Sequence, residues 1–305
     1  MANVVTHPGQ DSDFALAGLS ERARVWLLTV ACFGVLLVIS SMVALNTALP
    51  DIAIATSADQ TQLTWIVDSY TLVLACLLLP AGALGDRYGR RGAMLVGLAI
   101  FGAASLVSAV LSNPVIVIVS RGVAGAGAAL IMPATLSLIT AAYPKDQRNK
   151  AVGIWAGVAG SGAVIGMLGS GGLLNFWSWH SIFWAFAGAA LTILVLTLTI
   201  ASSRDADGNP LDWRGALVIG GAVATLVFGI LEAPARGWTH PLVIISIGIG
   251  LLLSLAFGFV EVRQRYPLWM CGCSRFPRSP RARPPSWCSS CRCSATCSCS
   301  CNTCS

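Results

Sequence analysis

Long apolar segments separated by short polar ones run through most of the chain. Eight segments are each at least 20 residues long, the length that a helix needs to cross a bilayer. They are too long and too continuously apolar for barrel strands, and a helix satisfies its backbone polar groups internally. The pattern therefore predicts an all-α integral membrane protein. The predicted spans are 26–48, 63–84, 93–112, 114–139, 150–174, 182–201, 214–233 and 241–262.

Basic residues concentrate in alternate connections between these spans. They precede the first span and follow the second, fourth, sixth and eighth, whereas connections 49–62, 112–114, 175–181 and 234–240 hold only Arg236. Because basic connections stay cytoplasmic, we expect a multi-pass protein of the cell membrane with a cytoplasmic N-terminus. The polar residues 1–24 are expected to form a short disordered cytoplasmic lead.

Composition narrows the possible functions. Apolar residues make up 55% of the chain, charged residues 10%, and the mean hydropathy is +0.75, which excludes a water-soluble globule. Five of the 19 basic residues follow residue 270, which leaves 14 basic against 13 acidic side chains and no reason to expect a nucleic-acid partner. The spans contain no nucleophile constellation, metal-ligand spacing or phosphate loop, so we predict no enzymatic activity, cofactor or metal.

The composition changes abruptly near Trp269. Only Cys32 and Cys76 of the 11 cysteines precede residue 270, and residues 266–305 are rich in Cys, Ser, Arg and Pro. Cys codons begin with TG and most Ser codons with TC, and read one base earlier such codons encode only Leu, Val, Met, Phe or Ile, so a shifted frame would restore a ninth membrane helix. We predict a frameshifted, non-native-looking tail. The alternative is a genuine metal-binding or redox tail, which the Cys-x-Cys spacing without histidine supports weakly.

A compact charged loop joins the second and third spans, with glycines that allow tight turns and an aspartate among three arginines. Its sequence, Gly-Ala-Leu-Gly-Asp-Arg-Tyr-Gly-Arg-Arg at 82–91, resembles the major facilitator superfamily loop Gly-x-Leu-Ala-Asp-Arg-x-Gly-Arg-Lys. The resemblance implies a cytoplasmic latch that closes in one transport state and opens in the other. The latch residues would be Gly82, Asp86, Arg87, Gly89, Arg90 and Arg91.

The end of the first span is similar to the fourteen-helix drug:proton antiporter branch of that family, whose pattern is Leu-Asp-x-Thr-Ile-Val-Asn-Val-Ala-Leu-Pro. Asn46 and the Ala-Leu-Pro at 48–50 match, while Ser41 stands at the acidic position. The resemblance implies a six-helix N-terminal transporter bundle at 25–203. Two linker transmembrane helices would follow at 204–265, and the tail at 266–305.

Two charges fall inside predicted spans. An ionised Asp68 would cost at least a few kcal/mol in hydrocarbon, so it is a functional-site hypothesis, the alternative being an aspartate wetted at the interface. Arg121 must pair with an acid, a carbonyl or water, and Asp68 is the nearest acid in the topology; the alternative is snorkelling to an interface. The stretch Arg-Gly-Val-Ala-Gly-Ala-Gly-Ala-Ala at 121–129 is similar to the family's fourth-helix signature, which implies that the pair assists proton coupling.

Glycines in the fifth span follow the spacing Gly-x8-Gly-x3-Gly of the antiporter signature, at Gly153, Gly162 and Gly166. A generic groove for close helix packing explains the same residues without antiport.

Together these resemblances imply proton-coupled efflux of drugs or antibiotics, with the lipid bilayer, protons and a small amphipathic substrate as partners. An exporter or importer of a native small metabolite and a non-transporting regulatory or interaction protein of the membrane remain alternatives. Transporters of this type rock two bundles about a central site. With one bundle and a linker pair, this chain is expected to be incomplete and inactive by itself.

Overall fold

The computed structural model describes residues 20–200 and 213–263, and these residues form eight α-helices with no strand among them. This confirms the all-α membrane fold. Residues 1–19 of the predicted N-terminal lead, the start of the linker segment and the cysteine-rich tail lie outside the described residues. Residues 21–24 of that lead already belong to the first helix, so the predicted disorder is wrong for them. The helices are α1 (Glu21–Thr56), α2 (Gln60–Tyr88), α3 (Arg90–Val110), α4 (Pro114–Ala142), α5 (Lys145–Phe176), α6 (His180–Leu198), α7 (Trp213–Arg236) and α8 (Pro241–Arg263).

Helices α1 to α6 each contain an apolar segment long enough to span a bilayer. In α7 and α8 the described apolar stretches are the shorter Gly220–Ile230 and Pro241–Ala256. Several helices extend beyond the predicted spans, because hydropathy marks only the part that suits hydrocarbon. Helix α1 continues through Pro50, and α2 begins earlier at a capping box in which Asp59 and Gln62 bond each other's backbone amides.

The helix contacts reveal an internal repeat. Helix α1 packs on α5 and α6, while α4 packs on α2 and α3, and α3 also packs on α6. Exchanging α1 with α4, α2 with α5 and α3 with α6 leaves these contacts unchanged. The first six helices are therefore two three-helix units related by a pseudo-twofold axis, an arrangement typical of secondary transporters. Helix α7 packs against α2, and α8 packs against α7.

Contacts between turns place alternate connections at opposite ends of the bundle. Arg91, at the start of α3, donates hydrogen bonds to the carbonyls of Thr197 and Leu198 at the end of α6. At the other end, the Ser112 hydroxyl lies 3.0 Å from Nε2 of His180, so the α3–α4 and α5–α6 connections meet there. The first of these ends carries most of the described basic side chains, and we call it the basic end.

Close helix contacts depend on glycine. Gly97 of α3 and Gly127 of α4 face each other so closely that a methyl group on either would lie 2.7 or 2.6 Å from the partner's carbonyl oxygen. In lipid, helix association relies on such close packing, because apolar burial gives little advantage over contact with lipid tails. These contacts hold α4 in the centre of the bundle, where its charged side chain must find partners.

Candidate functional site

Arg121 of α4 is buried in the bundle, with only 2% of its surface exposed. Its Nη1 donates to the Ser41 hydroxyl at 2.9 Å and its Nη2 to the Ser41 carbonyl at 3.1 Å. Its Nε donates to the Ile66 carbonyl at 3.4 Å, and the guanidinium carbon lies 4.2 Å from the centre of the Tyr70 ring. One side chain thus joins α1, α2 and α4.

Tyr70 completes this polar centre. Its ring is fully buried, its face receives the guanidinium in a cation–π contact, and its hydroxyl donates to the Val38 carbonyl of α1 at 2.9 Å. Gly125 lets α4 reach this position, because a methyl group there would lie 2.5 Å from the Tyr70 carbonyl oxygen. The centre is therefore a fixed positive charge, since a guanidinium does not release its proton in a protein.

The expected pairing of Arg121 with Asp68 is wrong. Among the described residues no carboxylate forms an ion pair with Arg121, and backbone carbonyls, a hydroxyl and an aromatic face take the place of an acid. The reason is helical geometry. Ile66 and Tyr70 are one turn apart and face α4, whereas Asp68 is two residues from each, about 200° around the α2 axis.

Asp68 faces a separate cavity of about 470 Å³ at the end opposite the basic end, where α1 finishes and α2 begins. Asn46, Gln60 and Thr64 add polar groups to its wall, and Pro50 lies on the α1 side. Asp68 is half-buried, and no described residue forms a hydrogen bond or ion pair with its carboxylate. A carboxylate that has no partner among the described residues can take up and release a proton in this partly polar cavity without breaking a contact with them.

The charged segment between the second and third spans is mostly helical rather than a loop, which corrects the sequence interpretation. Helix α2 runs to Tyr88, and only Gly89, with φ of 111°, turns the chain before α3. Gly82 and Gly85 remain in the helix and pack against neighbouring side chains instead of turning. A single left-handed residue therefore makes the whole connection.

The charges of this segment tie α2, α3, α4 and α6 together. The Asp86 carboxylate accepts from Arg90 Nε at 3.3 Å and from the Ser137 hydroxyl of α4 at 2.8 Å. Arg91 caps two carbonyls at the end of α6, at 3.2 and 2.6 Å. Arg87 is exposed on the last turn of α2. All these contacts lie within the bundle. A latch at this segment would open by breaking them.

The three signature glycines of α5 do not share one face. Gly162 and Gly166 pack on α1, and a methyl group on Gly166 would lie 2.6 Å from the Ser40 carbonyl oxygen. Gly153 has nothing within 4 Å of such a methyl group. Nine residues rotate a helix by about 180°, so Gly153 lies opposite Gly162 and packs against no described residue; its packing role stays a prediction.

Sequence reasoning missed the partners of Arg121. In the sequence, Ser41 is distinguished only by standing at the acidic position of the first-span pattern, and Tyr70 is not among the predicted site residues. Both are fully buried. The tyrosine at position 70 of an apolar helix could have predicted a partner for Arg121. A buried hydroxyl needs a hydrogen-bond partner, and an aromatic face attracts a cation.

Comparison with known proteins shows that residues 31–270 match the Major Facilitator Superfamily. The chain is 30% identical over 250 residues to Multidrug resistance protein Stp of Mycobacterium tuberculosis (strain CDC 1551 / Oshkosh), covering 81% of this chain and 47% of that protein. It is 33% identical over 250 residues to Puromycin resistance protein pur8 of Streptomyces alboniger, covering 81% and 50%. The Lincomycin resistance protein of Streptomyces lincolnensis is 34% identical over 252 residues, with 82% and 52% covered. The chain thus spans about half the length of the curated relatives it matches.

Among solved structures, the peptide transporter POT in complex with sulfate superimposes with a TM-score of 0.62 at 18% sequence identity, covering 85% of this chain and 57% of that chain. At this identity the likeness concerns the fold alone. It shows that the arrangement of helices described above occurs in a transporter of known structure.

Proposed function

The chain belongs to the Major Facilitator Superfamily, and from this premise we propose that it forms one bundle of a proton-coupled exporter of drugs or antibiotics. Relatives named for resistance to, or export of, such compounds support this substrate class. The proposed partners are the bilayer, protons and a small amphipathic compound, without nucleic acid and without enzymatic chemistry. In such a protein the described six-helix bundle would rock against a second bundle, with the α7–α8 pair as a linker.

The observation that carries the proposal is that the Asp68 carboxylate, which faces a partly polar cavity, has no hydrogen-bond or ion-pair partner among the described residues. Protonation removes the charge that makes this position costly in a membrane, so proton binding favours whichever state buries Asp68 more deeply. Helix α2 links this group to the polar centre, because Ile66 and Tyr70 on its other face contact Arg121. A change at Asp68 that rotates α2 must therefore disturb the contacts of the fixed charge.

The proposed orientation places the basic end in the cytoplasm, together with the N-terminus, because basic residues are retained on that side. The cavity with Asp68 then opens towards the outside, where a proton gradient supplies protons. The contacts of Asp86 and Arg91 act as the latch at the inner end, holding α2 and α3 to α4 and α6 until the bundles change position.

The proposal can be tested with a chimaera that joins residues 1–263 of this chain to the C-terminal half of the Streptomyces alboniger puromycin resistance protein. We expect cells lacking their own pumps to extrude puromycin when they produce the chimaera, and a protonophore to abolish the extrusion. The 305-residue chain alone is expected to give none, because a path needs two bundles. Energised accumulation instead of extrusion would contradict the direction of transport.

Two variants of the chimaera separate coupling from folding. Asp68→Asn keeps the shape and removes the titration, so we expect protonophore-sensitive extrusion to fall to the background level. Asp51→Asn, at an exposed carboxylate near the same end of α1, is the matched control and should extrude normally. If Asp68→Asn extrudes as well as the control, Asp68 does not couple transport to protons.

A further inference from the structure

A second cavity, unrelated to Asp68, lies at the basic end between the start of α3, the end of α4 and the start of α5. Its volume is about 350 Å³, within the range of small-ligand sites. Arg90, Lys145 and Arg148 line it, together with Tyr143 and Thr140, and no acidic residue is among the described residues of its wall. A cavity lined by three basic side chains favours binding of an anion.

Two side chains of the cavity wall have polar groups without a hydrogen-bond partner among the described residues. The guanidinium of Arg148 lines the cavity, and its buried Nε has no hydrogen-bond partner among the described residues. No described residue hydrogen-bonds the Tyr143 hydroxyl. Burial raises the pKa of Tyr143, against the opposing effect of Arg24, so the hydroxyl stays protonated and able to donate.

Nearby acids do not neutralise the cavity. Asp86 already accepts from Arg90 and from Ser137 of α4, so its charge is engaged beside the cavity rather than inside it. Asp146 is exposed in the first turn of α5, and Glu21 acts on Tyr143 less strongly than Arg24 does. Lys145 and Arg148 therefore face the cavity with their charge available.

The position of the cavity selects the kind of anion. It lies where the apolar segments of α4 and α5 end, which is the depth of lipid headgroups in a spanning protein. Basic pockets between membrane helices at that depth suit phosphate-bearing headgroups, because several donors can converge on one phosphate.

The geometry points to a binding site for a phosphate group in the cavity formed by Arg90, Tyr143, Lys145 and Arg148, supplied by the headgroup of an anionic phospholipid. Bound there, the lipid bridges the start of α5 to the start of α3 through the basic side chains that line the cavity. The site lies outside the proposed transport path and does not depend on the transported compound.

Native mass spectrometry of the purified 305-residue chain tests the site directly. Phosphatidylglycerol is titrated against the neutral-headgroup phosphatidylcholine, and inorganic phosphate is added as a competitor. Each neutralised cation should weaken phosphatidylglycerol binding about fivefold, and removal of two about 30-fold. The variants are Lys145→Gln and the double variant Lys145→Gln/Arg148→Gln. Lys150→Gln is the matched control, because Lys150 is exposed on the same helix and does not line the cavity.

Preferential binding of phosphatidylglycerol that falls in both cavity variants and persists in Lys150→Gln supports the site and its lipid source. Millimolar phosphate is added both to the wild-type chain and to the cavity variants. Displacement of the lipid from the wild-type chain alone supports a phosphate site in the cavity and shows that soluble phosphate competes with the lipid for it. Equal binding of both lipids, or the same loss in Lys150→Gln, overturns the proposal. Lys145→Gln alters an exposed residue, and unchanged phosphatidylcholine binding confirms that each variant is folded.

Discussion

Replacing Arg121 by Lys should destabilise the bundle more than replacing it by Met, although Lys preserves the charge. The guanidinium reaches the Ser41 hydroxyl, the Ser41 carbonyl and the Ile66 carbonyl from three separate nitrogens while its plane covers Tyr70. A lysine ammonium is a single point with three donors and cannot reach all these acceptors at once. It would leave a buried charge with fewer partners.

The magnitudes follow from the contacts. Hydrogen bonds to a charged group contribute about 1.5–3 kcal/mol each, so losing two of three predicts about 3–6 kcal/mol of destabilisation for Arg121→Lys. Met loses the bonds too, but it also removes the cost of burying a charge, and it leaves no buried charge without a partner. The two helix carbonyls accept backbone amides as well, so they are not orphaned. We expect Arg121→Met to lie within about 1 kcal/mol of the wild type.

The assay is thermal unfolding of purified chains in one detergent, followed by the monomeric fraction that survives heating. At about 2–4 °C per kcal/mol, Arg121→Lys should unfold at least about 6 °C below the wild type and clearly below Arg121→Met. In the chimaera, Arg121→Met should remain folded but lose extrusion if the fixed charge serves coupling. An Arg121→Lys variant as stable as Arg121→Met would refute the reasoning.

Three further predictions use the same unfolding assay. Gly166→Ala should destabilise the protein by about 3 kcal/mol, because the added methyl group meets the Ser40 backbone and the helices must separate. Gly153→Ala faces open space and should stabilise it by up to about 1 kcal/mol through helix propensity. Equal effects of the two variants would contradict the assigned faces. Arg91→Ala should cost about 2 kcal/mol by uncapping the end of α6, and a neutral result would show that the two hydrogen bonds are not maintained. Tyr70→Phe should destabilise the protein by only about 1 kcal/mol, because it removes the hydrogen bond to α1 and keeps the ring beneath the guanidinium. A loss of stability as large as that expected for Arg121→Lys would mean that the hydroxyl has another essential role.

Sequence reasoning succeeded where one physical property decides the outcome. The eight helices followed from apolar length, and the charged segment at 82–91 and the first-span pattern indicated the family that the comparison then established. It failed at side-chain pairing. The pairing of Asp68 with Arg121 was predicted because both are charged residues inside neighbouring predicted helices. The order of helices does not say which face of each helix meets its neighbour.

The glycines of α5 show the same limit on a smaller scale. Their spacing resembles a signature, yet nine residues place Gly153 on the opposite face from Gly162, and only the packing of α1 on α5 shows which of the two faces is covered. The cavity at the basic end could not be predicted from the sequence either, because its wall combines Arg90 with residues 140–148.

The sequence by itself determined the lipid environment, the eight helices of the described residues and the alternation of basic connections, because transfer of each segment into lipid depends on local composition. Only the tertiary structure decided that Arg121 contacts Ser41, Ile66 and Tyr70, and that Asp68 faces a cavity without a partner among the described residues. Those outcomes depend on the rotation of each helix about its axis and on contacts up to 80 residues apart in the chain, as between Ser41 and Arg121. Packing of small residues fixes that rotation, and no local property of the sequence encodes it.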